Sequence, residues 1–214
     1  MNSLFITFEG IEGSGKSTQI QLLKDYFSEK GFSTFLYREP GGTEFGEALR
    51  SAILKSTTKI SPIAEAMLFA SSRAQLIAQE ILPKLEEENN LVIVDRFIDS
   101  SLAYQGHGRG QGFETIESLH NFGVLKLRPD LTFYLKISLE CSLERQAKRN
   151  QGKDYFESEQ NEFHEKLIEG FDLLSKRYAD RIKVIDGEKD QVSVFNSILE
   201  NIKDQFPNVR TDIP

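Results

Sequence analysis

The residues with the clearest chemistry form a glycine-rich loop near the N-terminus. Positions 10–17 read Gly-Ile-Glu-Gly-Ser-Gly-Lys-Ser, between an apolar run at 4–8 and an amphipathic stretch. Glycines let backbone N–H groups surround a β-phosphate, and the N-terminus of the following helix adds positive partial charge. In such a loop Lys16 reaches the β- and γ-phosphate oxygens, and the Ser17 hydroxyl ligates magnesium. The order of strand, loop and helix predicts a nucleoside triphosphate site; the alternative is a tight glycine turn with a solvated Lys16.

A carboxylate and a guanidinium follow a second apolar run, at 91–94. Asp95 ends this run, as expected of the acidic residue that helps to hold magnesium in P-loop proteins. Arg96 comes next, and a guanidinium at this edge could hold a second phosphate through two hydrogen bonds. The alternative is that the pair merely ends a strand and caps the next helix.

Five other side chains form a set suited to a nucleobase: Phe69, Arg73, Ser101, Tyr104 and Gln105. An aromatic face can stack on a base. An arginine four residues further along a helix lies on the same face and can donate to a carbonyl on the base edge. The alternative, which periodicity alone favours, is that these are ordinary core and surface residues without a role in binding.

Short β-rich runs alternate with longer helical patterns along the chain. Strands are predicted at 3–8, 33–37, 91–94, 131–137 and 182–185. Helices are predicted at 16–30, 43–54, 61–87, 97–105, 114–126, 139–150, 159–179 and 190–205. The alternation predicts an α/β fold with a doubly wound parallel sheet and helices on both faces. Ligands of such sheets bind beyond the carboxyl ends of the strands, where the polar residues described above fall.

Length and composition limit the class of protein. The chain has 214 residues, which fits one domain, and its net charge of −7 argues against a general nucleic-acid binder. A single cysteine, Cys141, excludes an internal disulfide and fits a reducing compartment. Apolar runs fall short of the ~18 residues that span a bilayer, and the first residues carry no basic targeting region. We therefore expect a soluble, cytoplasmic protein that binds neither nucleic acid nor membrane.

With these residues in place, the chain resembles the thymidylate kinase family, whose members move the γ-phosphate of ATP to dTMP. The resemblance extends from about residue 4 to 187. Its matching blocks lie at 8–18, 38–43, 65–73, 95–106, 128–132 and 163–171. It implies a P-loop nucleoside monophosphate kinase with a five-stranded parallel sheet and a short lid, ATP and Mg²⁺ as cofactors, and a homodimer.

For the base and sugar of dTMP, the resemblance implies a role for each of the five side chains named above. Phe69 would stack on thymine, and Arg73 would donate on its O4 side. Ser101 and Gln105 would face the base edge. Tyr104 would crowd the 2′ position of the sugar and so favour deoxyribose.

For the phosphates and the metal, the resemblance implies three more assignments. The dTMP phosphate would be held by Arg38, Arg50 and Arg96, and Glu9 would lie near the 3′-hydroxyl and the magnesium ion. The metal would be ligated by Ser17, Asp95 and Glu9. The ATP site would comprise Gly10, Ile11, Glu12, Gly13, Ser14, Gly15, Lys16, Ser17, Thr18 and Arg145. Several cations are needed there because two anionic phosphates must approach each other.

The lid is expected at about 145–158. Family members whose P-loop lacks a basic residue at its variable positions resemble one another in placing a catalytic cation in the lid, and this P-loop is of that kind. The segment 153–157 departs from the family, because Tyr155 stands where an arginine is common. Arg149 and Lys153 are therefore both catalytic candidates, beside Lys16 and Arg96. Arg149 is favoured, because a guanidinium can bridge two phosphoryl oxygens.

We predict one kinase domain over residues 1–207 and a flexible tail over 208–214. Two rival functions are compatible with a P-loop. One is another small-molecule kinase of the same fold, such as a deoxynucleoside kinase, although the phosphate-binding arginines favour a monophosphate acceptor. The other is a P-loop GTPase, which would be supported by an Asn-Lys-x-Asp segment that this sequence lacks.

Overall fold

The structure is a computed structural model that describes residues 3–149, 155–156 and 159–207. Five strands form one parallel sheet in the order β2-β3-β1-β4-β5. Their bounds are β1 Leu4–Glu9, β2 Ser33–Arg38, β3 Asn90–Asp95, β4 Leu131–Lys136 and β5 Ile182–Asp186. All five predicted strands are confirmed to within one or two residues at each end.

The helices connect these strands. They are α1 Lys16–Glu29, α2 Glu44–Leu54, α3 Pro62–Leu76, α4 Leu82–Leu85, α5 Ile98–Ser101, α6 Phe113–Leu119, α7 Leu139–Arg149, α8 Asn161–Arg177 and α9 Gln191–Gln205. Two π-helical segments, Ile77–Ile81 and Leu102–Gly108, and a 3₁₀ turn, Gly123–Lys126, complete the order. Within the described ranges, every helix is too short or too polar to cross a bilayer.

The strand register brings the candidate site residues together. Phe8 of β1 pairs with Asp95 of β3, and Asp95 in turn pairs with Arg38 of β2. The carboxyl ends of these strands therefore meet at one edge of the sheet, as the sequence predicted. β1 is buried along its whole length, because helices cover the sheet on both sides.

Two apolar clusters pack on opposite faces of the sheet. On one face Phe8 and Ile93 join Leu23 of α1 and Ile198 of α9. On the other face the cluster contains Val92 and Val94 of β3, Ile77 of the first π-helical segment, and Phe171 and Leu174 of α8. This packing confirms the predicted doubly wound α/β architecture, since each face of the sheet is covered by helices.

Three predicted helices differ from the structure. The helix predicted at 61–87 is interrupted by the π-helical segment Ile77–Ile81, and the one predicted at 97–105 becomes π-helical at Leu102. The helix predicted at 114–126 is wrong in its second half, because α6 ends at Leu119. His120 then folds its side chain back onto the Ile116 carbonyl oxygen, and Gly123 takes a left-handed φ of 51°.

Candidate active site

Three glycines shape the loop between β1 and α1. Gly10, Gly13 and Gly15 have φ values of 137°, 80° and 96°, which side chains other than glycine rarely adopt. A Cβ atom at Gly10 would also lie 2.6 Å from the carbonyl oxygen of Leu135 in the neighbouring strand. The loop therefore needs glycine both for its backbone angles and for its close approach to β4.

Lys16 begins α1 and is held against this loop. Its Nζ donates to the carbonyl oxygens of Gly10, at 3.1 Å, and Ile11, at 3.3 Å. Burial, together with the nearby Arg96 guanidinium, lowers the pKa of Lys16 to about 8. The loop thus holds a partly desolvated cation at the start of the helix, which suits it to an anionic ligand.

A cavity of about 260 Å³ opens beside the loop, and we call it the phosphate cavity. Its lining residues are Glu12, Gly13, Ser14, Gly15, Lys16, Ser17, Arg38, Glu39, Arg50, Asp95 and Arg96. It thus contains most of the residues predicted to hold phosphate. Arg38 lies at its exposed side and pairs with Glu47 at 3.1 Å.

Two of the three predicted magnesium ligands line the phosphate cavity. The Oδ1 atom of Asp95 is buried and has no hydrogen-bond partner among the described residues, and Ser17 lies at the start of α1. Carboxylate and hydroxyl oxygens are donors that suit Mg²⁺, so this pair fits the ion.

Glu9, the third predicted ligand, is placed differently. Its Oε1 accepts from the backbone N–H groups of Phe97, at 2.7 Å, and Ser100, at 3.2 Å, and its Oε2 accepts from the Ser100 hydroxyl at 2.5 Å. Burial, with Asp99 nearby, raises the pKa of the Glu9 carboxyl to about 8. Glu9 is fully buried, so in this structure it holds the first turn of α5 rather than lining the phosphate cavity.

A second cavity of about 110 Å³ adjoins the first, and we call it the aromatic cavity. It brings together four of the five residues predicted to bind a base: Phe69, Ser101, Tyr104 and Gln105. Sequence reasoning missed Phe156 and His164, which also line it. The ring of Phe156 lies 5.9 Å from that of Phe69 and 5.4 Å from that of Tyr104. The sequence held two signals for them: the pair of aromatic residues at 155 and 156 in the expected lid, and the position of His164 within the matching block 163–171.

Four residues line both cavities: Glu12, Glu39, Arg50 and Arg96. Arg96 has a left-handed φ of 68°, which is unusual for a residue with a Cβ atom. Its guanidinium lies 3.6 Å from the Glu12 carboxylate and 5.3 Å from the centre of the Tyr104 ring. Arg96 thus lies at the wall that the two cavities share.

Arg73 is buried behind the aromatic cavity and is fully engaged. Its Nε donates to Glu39 at 2.7 Å, its Nη1 contacts Ser101 and His120, and its Nη2 donates to the Phe97 carbonyl oxygen at 2.8 Å. Arg73 does not line the aromatic cavity. In this arrangement Arg73 touches the lining of the cavity through Ser101 and Glu39, and its direct contact with thymine O4 stays a prediction.

His120 and Glu39 complete this buried group. Burial, with Arg73 adjacent, lowers the pKa of His120 to about 3, so its imidazole is neutral and can accept from Arg73. Burial raises the pKa of the Glu39 carboxyl to about 7, although Arg73 opposes the shift. The sequence offered no signal for this group, because Glu39 directly follows β2, Arg73 lies in α3 and His120 directly follows α6.

We expect the variant Arg73→Ala to be strongly destabilised. Arg73 and Glu39 are almost fully buried and 2.5 Å apart, and breaking a buried ion pair costs about 3–5 kcal/mol of unfolding free energy. The variant Arg177→Ala is the control, because its pairs with Glu114 and Glu117 are solvent exposed and should contribute far less. Urea unfolding of both variants checks this. Equal losses would mean that the Arg73 pair is not stabilising.

A third cavity of about 320 Å³ lies on the other side of the glycine loop. Thr18 and Arg145, both predicted to bind ATP, line it together with Lys189 and Gln191, which sequence reasoning missed. Arg145 donates to the carbonyl oxygens of Gly13 and Gly187, each at 3.0 Å. Lys189 and Gln191 follow the end of β5, so the rule that ligands bind beyond strand ends could have found them.

The described residues include only part of the predicted lid. Lys153 and Asp154, the side chain of Arg149 and the predicted tail at 208–214 lie outside the described residues. Tyr155 and Phe156 are described, and the Tyr155 hydroxyl accepts from the backbone N–H of Ile60 at 3.4 Å.

Comparison with known proteins places this geometry in a family. A family model described as thymidylate kinase matches residues 8–198. A thymidylate kinase from Thermoanaerobacter sp. (strain X514) is 41% identical over 203 residues, covering 95% of this chain and 98% of that protein. One from Mycoplasmopsis pulmonis is 43% identical over 210 residues, covering 95% and 89%. The crystal structure of a thymidylate kinase from Ehrlichia chaffeensis superposes with a TM-score of 0.76 at 32% identity, covering 94% of this chain and 99% of that one. The chain belongs to the thymidylate kinase family.

Proposed function

We infer that this chain transfers the γ-phosphate of ATP to dTMP, giving ADP and dTDP. The observation that carries this inference is the shared wall between the phosphate cavity, built on the glycine loop, and the aromatic cavity. A donor triphosphate in the first and a nucleoside monophosphate in the second would meet at Arg96. Membership of the thymidylate kinase family supports the same donor and acceptor.

Catalysis in this reaction is mostly positioning and electrostatics. We propose that the loop backbone and Lys16 hold the β- and γ-phosphates, and that Arg50 and Arg96 hold the acceptor phosphate. The phosphoryl group then passes directly between the two nucleotides without a covalent enzyme intermediate. Ser17 and Asp95 would hold Mg²⁺, which neutralises charge on the donor phosphates when it is bound.

The aromatic cavity accounts for the acceptor base. We propose that Phe69 stacks on thymine, because its ring faces into the cavity with Tyr104 and Phe156 beside it. Ser101 and Gln105 would face the base edge, and Tyr104 would lie beside the 2′ carbon of the sugar. Arg73 would support this site from behind by holding Ser101 and Glu39.

A panel assay tests the function. Purified protein is incubated with ATP, Mg²⁺ and one acceptor at a time, chosen from thymidine, dTMP, dCMP and GMP, and ADP is measured. We expect ADP with dTMP well above the others. ADP with thymidine in place of dTMP would support a deoxynucleoside kinase. Hydrolysis of GTP in a parallel incubation without ATP or any acceptor would support the GTPase alternative.

The lid carries a separate prediction. With no basic side chain at the variable loop positions, charge that develops between donor and acceptor must be met by a lid cation. We expect Arg149→Ala to lower kcat about a hundredfold with little change in the KM for dTMP, because the contact forms chiefly in the transition state. Lys153→Ala should do less. A larger loss for Lys153→Ala would reverse the assignment, and negligible losses for both would remove the lid from the chemistry.

The assembly and location of the chain are also proposed. We propose a homodimer, and the partly exposed apolar side chains of Phe45, Ile63 and Met67 on the neighbouring helices α2 and α3 offer a surface for it. Light scattering on the purified protein would measure its mass. A cytoplasmic location stays a prediction from the sequence.

A further inference from the structure

A buried carboxylate lies directly behind the base edge of the aromatic cavity. Glu65, in the first turn of α3, is fully buried, and its Oε1 accepts from the Nε2 atom of Gln105 at 2.9 Å. Gln105 itself is buried to all but 1% and lines the aromatic cavity from the π-helical segment Leu102–Gly108. Glu65 does not line the cavity, so it acts on a ligand there only through Gln105.

The second partner of Glu65 is Arg109. Arg109 donates to both oxygens of Glu65 at 3.3 Å. It also donates to Glu159, the residue that follows the predicted lid in the sequence, at 2.6 Å. The Arg109 guanidinium further lies 5.7 Å from the centre of the Phe156 ring. A carboxylate that is paired with arginine in this way offers only acceptor atoms to its other neighbours.

The orientation of the Gln105 amide follows from this pairing. A glutamine amide can point either its NH₂ group or its carbonyl oxygen in a given direction, and the hydrogen-bond partner decides which. Glu65 can only accept, so Gln105 must turn its NH₂ group towards Glu65. The carbonyl oxygen is then left to face a ligand as an acceptor.

We propose that Glu65 is a specificity-determining positioning residue, which fixes the Gln105 amide so that its carbonyl oxygen accepts from the N3–H of thymine. This inference rests on the proposed function. Thymine carries a hydrogen on N3, whereas cytosine presents a lone pair there, which would face the lone pairs of the Gln105 oxygen. The pair Glu65–Gln105 therefore disfavours cytosine.

The test compares kcat/KM for dTMP and dCMP in two matched variants. In Glu65→Gln, the side chain keeps its shape but can donate as well as accept, so Gln105 can turn over. We expect the ratio of dTMP to dCMP to fall about tenfold, as for one hydrogen bond lost or reversed. Glu159→Gln also removes a charged partner of Arg109 but keeps the hydrogen bond between Glu65 and Gln105. The ratio of dTMP to dCMP in this variant should therefore match that of the wild type.

A double-mutant cycle separates positioning from a general structural effect. If Glu65 acts through Gln105, then Glu65→Gln should not change the ratio further in a Gln105→Ala background. An unchanged ratio in folded Glu65→Gln, or the same fall in the Gln105→Ala background, would overturn the proposal. Equal falls in Glu65→Gln and Glu159→Gln would also overturn it.

A substrate analogue tests the same point without any variant. The wild-type protein should use N3-methyl-dTMP at least about tenfold less well than dTMP, since the methyl group removes the donor that Gln105 needs. Equal use of the two nucleotides would overturn the proposal even if Glu65→Gln did not fold. Failure of the proposed function is distinguishable, because the wild type would then form no ADP with dTMP itself.

Discussion

Arg96→Ala is expected to lower kcat about a thousandfold while the protein stays folded, because an arginine that offsets transition-state charge in phosphoryl transfer can be worth 10³ or more. Arg96 lines both the phosphate cavity and the aromatic cavity, so it is placed to contact the phosphates of both nucleotides. Alanine keeps a Cβ atom at the left-handed φ of 68°, so the backbone strain is unchanged and the loss reports the guanidinium.

Two further variants calibrate this result. Arg96→Lys keeps the charge but not the planar fork of donors, so it should recover only a small part of the activity. Arg38→Ala should cost less than Arg96→Ala, because Arg38 lies at the exposed side of the phosphate cavity and lines only that one. Steady-state kinetics with dTMP and ATP measure all three. A full recovery by lysine would show that charge alone suffices, and near-normal turnover in Arg96→Ala would remove Arg96 from the reaction.

Lys16→Ala is expected to lose about a thousandfold in turnover, since a cation held in place for the phosphates is removed while the backbone of the loop survives. Its Nζ is held by the carbonyl oxygens of Gly10 and Ile11, so the ammonium is already in place before any nucleotide arrives. The fold should persist, because Lys16 packs at the start of α1 and not within either apolar cluster.

Lys24→Ala is the matched control for Lys16→Ala. Lys24 lies on the same helix, and its side chain is outside all of the cavities described here. It should retain wild-type turnover, and both variants should give the wild-type circular dichroism spectrum. If folded Lys16→Ala forms ADP near the wild-type rate, the assignment of residues 10–17 as a P-loop is wrong.

The sequence by itself determined the frame of this protein. The runs that form β1, β3 and β4 were the clearest of the five, because strands buried on both faces of a parallel sheet need nearly continuous apolar residues. The glycine loop at 10–17 was also readable, since its backbone angles and its closeness to β4 demand glycine locally. The strand register then placed Asp95 and Arg38 at one edge, which the general rule for parallel sheets predicts.

Only the tertiary structure decided which of the predicted side chains line the cavities. Glu9 and Arg73 carry the right chemistry, yet in this structure their hydrogen-bonding atoms are taken by partners far away in the chain. Ser100 lies 91 residues after Glu9, and His120 lies 47 residues after Arg73. Residue type and spacing describe what a side chain can do, whereas its partners depend on how distant elements pack.

The packing of distant elements also explains why sequence reasoning missed some residues of the cavities. Phe156 lines the aromatic cavity because its ring packs beside those of Phe69 and Tyr104, and no local pattern encodes contacts between residues so far apart in the chain. Glu65 reads as an ordinary acidic residue in the first turn of a helix, where such residues are favoured by the helix dipole. Glu65 lies behind Gln105, 40 residues away, because α3 packs against the π-helical segment Leu102–Gly108. Only that packing fixes which end of the Gln105 amide is left for a ligand.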